Sequence, residues 1–171
     1  MKTEEKLRVV IQGEYYVSAD PCDILTTILG SCVAAFLRDP YAGIGGLNHF
    51  LLPGGDPQDK TAMKYGLNSM ELLINSLIKA GARRERLEAK LFGGGRIVPG
   101  LTDIGAANAR FAEEFLQREK ISYLGGSLGG EQGRKIRVWP VTGQVQQMRL
   151  AAAEVREDLR KPVPKAEVLL F

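Results

Sequence analysis

One histidine and two cysteines stand in this chain of 171 residues. The histidine, His49, shares the stretch 26–53 with one of the cysteines, Cys32. A thiol is a poor nucleophile until something takes its proton or holds its thiolate, and an imidazole within reach can do either. Attack of such a sulfur on an amide carbonyl builds a tetrahedral oxyanion, which needs backbone N–H groups around it. The turn Gly30-Ser31-Cys32 can present them, because glycine lets successive amides point one way; Gly30 and Ser31 are thus the candidate oxyanion and substrate-binding residues. His49 would protonate the departing nitrogen, and water would then hydrolyse the thioester. A third group usually holds the imidazole in the right tautomer. Thr26, Thr27, Ser31, Asn48 and Asp39 all qualify, and residue type alone does not choose among them. Cys22 lies in SADPCD, a run of turn formers, and reads as a bystander thiol in a loop. So few soft ligands make a poor zinc site, and neither metal nor cofactor is expected.

Whether thiol and imidazole meet depends on the elements that carry them. Residues 33–37 read as a strand, Asp39-Pro40 as a turn, and residues 47–52 as a second strand ended by Pro53, together a β-hairpin. A loop over residues 39–42 would close with Arg38 opposite Gly43 and put Cys32 directly opposite His49, their Cβ atoms roughly 5 Å apart. On this register Phe36 lies over Gly45, where a glycine leaves room for the ring. A slip of one residue would turn one partner to the other face, and Gly45-Gly46 could host a bulge.

Around the hairpin, strands are expected at residues 7–11, 14–17, 89–92, 121–124 and 135–139. Met63, Leu67, Met70, Ile74 and Leu77 recur at helical spacing and Gly81 is a natural stop. Asp103 or Thr102 can cap a second helix whose buried face is Ile104, Ala107, Phe111 and Phe115. Gly93-Gly94-Gly95-Arg96 lacks the Lys-Ser/Thr of a P-loop and reads as close backbone approach at a tight turn. Residues 144–160 read as a helix, and 161–171, with two prolines, as an extended tail laid on the domain or left free. Strands and helices intersperse without strict βαβ alternation, which predicts one α+β domain over residues 1–171, with mixed sheets and helices outside.

Composition narrows the function. The chain is 44% hydrophobic and 25% charged, ordinary for a soluble globular protein. Its formal charge is +3, with basic residues interleaved among acidic ones as in RRERLEAK, a solvated face rather than a phosphate-binding stripe. Nucleic acid is not an expected partner. No apolar run approaches the roughly 20 residues that span a bilayer, and the N-terminal run VVI is too short for a signal peptide. Two cysteines make no disulfide framework, so a reduced, cytoplasmic protein without membrane insertion is expected.

Several segments resemble the CheD family of chemoreceptor glutamine deamidases: LGSCVAAFLRDP, GGLNHFLLP, KYG, FGGG and GGEQGRKIRVWPVTGQV, within residues 13–145, with AEVLLF similar to the tail of longer members. The resemblance implies a thiol hydrolase that converts glutamines of chemoreceptor helices to glutamate with release of ammonia. It places the nucleophile on Cys32, the histidine on His49 and the family's threonine on Thr26. It also implies a layered sandwich of the kind found in cytotoxic necrotizing factor, and a CheC-type phosphatase of CheY as a second partner. The alternative is a binding module that regulates such a phosphatase with little or no catalysis. The chain departs from the family at Ser127, where many members carry Asp, and at Asn48, where a small residue is frequent.

Overall fold

The computed structural model describes residues 3–53, 59–97, 103–151 and 168–171. Their elements run β1 (Lys6–Val9), β2 (Tyr15–Ser18), β3 (Asp23–Leu29), β4 (Val33–Asp39), β5 (Ile44–Asn48), α1 (Lys60–Lys79), β6 (Glu88–Gly93), α2 (Ile104–Arg118), β7 (Ser122–Leu128), β8 (Gly133–Val138), β9 (Val145–Leu150) and β10 (Val168–Leu170). One sheet has the order β1-β3-β8-β9-β10 and the other β2-β5-β4-β6-β7. The β1/β3 and β6/β7 pairs are parallel and the other pairs antiparallel, so both sheets are mixed.

Alternation along the strands explains the layering. In β4, Ala34 and Phe36 join Leu25, Leu29, Leu47, Phe92, Ile136 and Val138 in a core between the two sheets. Their neighbours Val33, Ala35 and Leu37 face the other way and pack with Met70, Leu73, Ile74, Phe111 and Phe115 of the two helices. The result is the expected α+β sandwich, ordered sheet, sheet, helices. Each fully buried side chain such as Phe50 or Leu73 contributes roughly 1.5–3 kcal/mol of transfer free energy. Helix α1 is capped by the Asp59 side chain, which accepts from the Thr61 N–H, and Gly81 stops it with φ +114°. Asp103 caps α2 by accepting from the Ala106 N–H.

The hairpin forms, but two residues out of the expected register. Arg38 pairs with Gly45 and Asp39 with Ile44, leaving residues 40–43 as the turn. The cause is Asp39, whose side chain is fully buried. Its Oδ1 accepts from the N–H groups of Tyr41 and Ala42, while Oδ2 accepts from Arg83 N–H and Arg86 Nε, each at 2.9 Å. A carboxylate committed to so many donors holds its residue in the ladder and pushes the loop forward. The same register continues to the Val33–Phe50 bridge, so no bulge forms at Gly45-Gly46. Phe36 still lies beside Gly45: a β-carbon there would sit 3.1 Å from Phe36 Cε2.

The helix expected over 144–160 is corrected: residues 145–150 form strand β9, paired with β8 along its length. Val145, Gln147 and Leu150 are buried, and the glutamine among them masks the alternation. The remainder of that span and most of the tail lie outside the described residues. At the chain's end β10 pairs with β9, and Phe171 meets Phe92 edge-on at 5.7 Å between centroids.

Candidate active site

Cys32 and His49 lie at one edge of the core between the sheets. Cys32 precedes β4 and His49 follows β5, each on the face that carries Ala34, Phe36 and Leu47. A shift of two residues keeps both side chains on the shared face. It does change their relation: the register through the Val33–Phe50 bridge, carried one residue on, sets Cys32 against Leu51 and His49 on the diagonal, a position that in a regular ladder lies roughly 7 Å away. The expected direct opposition is therefore corrected to a diagonal one. The thiol contacts Gln12 Oε1 at 3.5 Å instead of the imidazole.

His49 is fixed through backbone and ring together. Its N–H donates to Glu14 O and its carbonyl accepts from Gly13 N–H, so the β1–β2 turn grips the residue from both sides. In the ring, Nδ1 lies 2.8 Å from Thr27 Oγ1 and 3.3 Å from Val10 O. The Thr27 hydroxyl has one proton and gives it to Val10 O at 2.6 Å, so toward Nδ1 it can only accept. Nδ1 is then the protonated nitrogen and Nε2 carries the free lone pair. Nε2 is buried and has no hydrogen-bond partner among the described residues. Burial draws the imidazole below its ordinary pKa against the opposing pull of Val10 O, which favours the neutral ring.

Thr26, expected to orient the imidazole, does not reach it. Its hydroxyl donates to Ile136 O at 2.8 Å in the neighbouring strand. The reason is the two-residue period of β3: Leu25 and Leu29 point between the sheets, Thr27 points with them, and Thr26 points to the opposite face. Residue chemistry alone had left Thr27 in the field.

The turn that carries Cys32 is tied down through its carbonyls. Gly30 O accepts from Gly95 N–H, Cys32 O from Gly94 N–H, and Ser31 O from Asn108 Nδ2 at 2.9 Å. Across a trans peptide the N–H points opposite the C=O. The Ser31 N–H is thereby turned away from the glycine strand end and the Cys32 N–H away from α2. This is also the use of the triple glycine: a β-carbon at Gly93 would collide with Cys32 O, and one at Gly95 would come within 3.2 Å of Gly30 O. The reading as close backbone approach holds. Burial pushes the Cys32 thiol up to about 11, so the resting sulfur keeps its proton.

Two residues escaped the sequence reading. Asn108, fully buried in α2, donates to Ser31 O and accepts from Leu52 N–H, joining the segments that carry Cys32 and His49. Its only signal was an amide inside the apolar stripe of a helix. Gln12, in the turn after β1, carried no signal at all. Asn48 is structural: its Oδ1 accepts from Ala35 N–H and its amide nitrogen lies 3.3 Å from Met70 Sδ. At the other departure, Ser127 takes a hydrogen bond from the buried Arg134 guanidinium, as does the Gly129 carbonyl. Among the described residues no cluster of metal-ligating side chains occurs, and no helix is long and apolar enough to cross a membrane.

Known proteins resemble this chain in sequence along most of its length. Residues 51–149 match the family model described as CheD, chemotactic sensory transduction. The chain is 52% identical over 157 residues to a probable chemoreceptor glutamine deamidase CheD of Caulobacter vibrioides, covering 91% of this chain and 84% of that protein. A protein of the same name from Agrobacterium fabrum is 51% identical over 168 residues, covering 96% of this chain and 93% of that one. Its namesake from Rhizobium etli is 55% identical over 153 residues, 88% and 83% of the two chains. The solved structure of Neisseria meningitidis protein NMB0706 overlaps at a TM-score of 0.48 with 11% identity, covering 71% of this chain and 63% of that one, too loose a likeness to add to these. With a family model matched over more than half its length and relatives at this identity along nearly all of it, the chain belongs to the CheD family.

Proposed function

We propose that this protein deamidates glutamine side chains of chemoreceptors in the cytoplasm, with Cys32 as nucleophile and His49 as base and then acid. The observation that carries the reading is the committed imidazole: Nδ1–H is given to Thr27, and Nε2 is left bare on the face that Cys32 shares. A histidine kept for packing would be expected to have both ring nitrogens satisfied once buried, and Nε2 finds no partner among the described residues. The names of the relatives supply the substrate class, a receptor glutamine.

Substrate entry closes the gap between sulfur and imidazole, as catalytic contacts often tighten only in the complex. His49 Nε2 takes the thiol proton as Sγ attacks the glutamine Cδ. The Cys32 N–H, with the Ser31 N–H beside it, receives the oxyanion. Collapse breaks the C–N bond, the imidazolium gives its proton to the departing nitrogen, and ammonia leaves a thioester. Nε2 then deprotonates a water, whose attack releases glutamate and restores the thiol. Thr27, through its acceptor oxygen, keeps the ring in the one tautomer that serves both halves. Thr26, the family's position by sequence count, acts in this reading only through the strand it stiffens.

The test is to incubate the protein with a chemoreceptor cytoplasmic fragment and follow peptide masses for a gain of about one dalton per converted glutamine. Cys32→Ala should abolish the gain. Conversion that survives this change would overturn the assignment, and its absence from the wild-type protein would leave the regulatory binding module as the reading.

A further inference from the structure

The chain carries a glutamine of its own at the nucleophile. Gln12 sits at the tip of the β1–β2 turn with an exposed side chain, and its Oε1 is the hydrogen-bond partner of Cys32 Sγ at 3.5 Å. The turn is not free to wander. Val10 O is the acceptor shared by Thr27 and the His49 ring, Gly13 N–H donates to His49 O at 2.8 Å, and Glu14 O accepts from His49 N–H at 3.1 Å. The segment that fixes the base on both sides thus carries a carboxamide to the nucleophile. Gly13 gives the turn its shape with φ +88°.

We propose that Gln12 is an internal stand-in for the substrate: its carboxamide occupies the resting thiol, and a receptor glutamine must displace it before attack. The inference rests on the deamidase reading for the identity of the displacing group. The contact is an S–H donating to an amide oxygen, with the proton still on sulfur, so the arrangement is a resting one and not a reacting one. An exposed residue on a tethered turn can be displaced without unfolding any strand, while its tether returns it after each turnover. The cost of displacement falls on substrate binding and not on the chemical step, so Gln12 raises KM and leaves kcat alone.

The experiment uses the full chain in a Cys22→Ser background, since Cys22 and Cys32 share the tryptic peptide 9–38. Gln12→Ala and Gln12→Met are compared by the rate at which iodoacetamide labels Cys32. Met keeps the bulk and removes the carboxamide. Both variants should label faster than the parent by roughly two- to tenfold, the factor to which the net worth of one hydrogen bond converts. With the receptor fragment both should show a lower KM and a kcat within about twofold of the parent, since only ground-state occupancy is removed. Labelling of Gln12→Met at the parent's rate would make the contact mere bulk and overturn the proposal. A fall in kcat with KM unchanged would make Gln12 a catalytic group and overturn it equally. So would a gain of one dalton at Gln12 itself that Cys32→Ala prevents, because Gln12 would then be a substrate. Labelling requires no deamidase activity, so failure of the deamidase reading alone would leave the labelling result standing.

Discussion

The two halves of the site are built to different standards. His49 is held at its N–H, its carbonyl and its Nδ1, and its ring is buried in a defined tautomer. Cys32 has its carbonyl tied to Gly94, but its side chain is half-buried and its sulfur's hydrogen-bond partner is Gln12 on an exposed turn. The imidazole is organised in advance while the thiol waits. Burial disfavours charge on both groups, so the resting pair is a neutral thiol and a neutral imidazole. A thiolate made only when substrate arrives is protected from the oxidation that befalls a standing one.

The largest break in this comparison comes from removing the base. His49→Ala should lower kcat on a receptor fragment by about a thousandfold, within the range of general acid–base contributions. Labelling of Cys32 by iodoacetamide should change far less, because the resting thiol does not depend on the imidazole. Equal collapse of both would show a standing ion pair and undo the distinction between the halves.

Next in size is the tautomer lock. Thr27→Val removes the oxygen that accepts from Nδ1–H and should cost about ten- to a hundredfold in kcat, the usual effect of losing an orienting partner. Thr26→Val removes a hydroxyl bonded to Ile136 O and should cost about 1 kcal/mol of stability with turnover kept. Steady-state kinetics beside thermal melts would decide between the two threonines. The reverse outcome would restore Thr26 to the site.

The thiol's own pH response is the third measure. A pKa raised to about 11 leaves less thiolate at pH 8 than a free cysteine has. Greater nucleophilicity of the more basic thiolate offsets part of the deficit, so labelling should run on the order of tenfold slower than free cysteine. It should keep rising with pH up to about 11. The acid limb of kcat/KM should lie below the ordinary histidine range, since the lowered imidazole pKa keeps Nε2 unprotonated as pH falls. An acid limb above that range would show that the charged ring is already stabilised in the free enzyme, whose ionisations kcat/KM reports.

Much of this was legible in the residues, and the failures have identifiable causes. Facing depends only on parity along the strands, so Cys32 and His49 could be placed on one face although the loop was misjudged by two residues. The exact register was set by Asp39 through Arg83 and Arg86, partners more than forty residues away that no local pattern reveals. Thr27 was hidden because β3 is buried on both faces, which erases the alternation that would have distinguished it from Thr26. Strand β9 failed for the opposite reason, a buried Gln147 where the alternation needed an apolar residue.

Asn108 offers the finest probe of the difference between the halves. Its amide spans 77 residues of sequence to reach Ser31 O and 56 to reach Leu52 N–H, so one side chain braces the nucleophile's turn against the segment after the base. Asn108→Ala would strand the Leu52 N–H in a buried place and should cost roughly 1–3 kcal/mol of stability, read as a lower melting temperature. Its catalytic effect should be smaller, a few-fold loss in kcat, because Gly94 and Gly95 still hold the carbonyls on either side of Ser31. The two halves should respond unequally. A loosened turn makes the sulfur more accessible, so labelling of Cys32 should rise slightly. The His49 Nδ1 proton, followed as a downfield resonance in proton NMR, should stay in place because none of its partners touches Asn108. Loss of that resonance in Asn108→Ala would mean that base and nucleophile are braced as one unit, and the imidazole could no longer be regarded as independently organised.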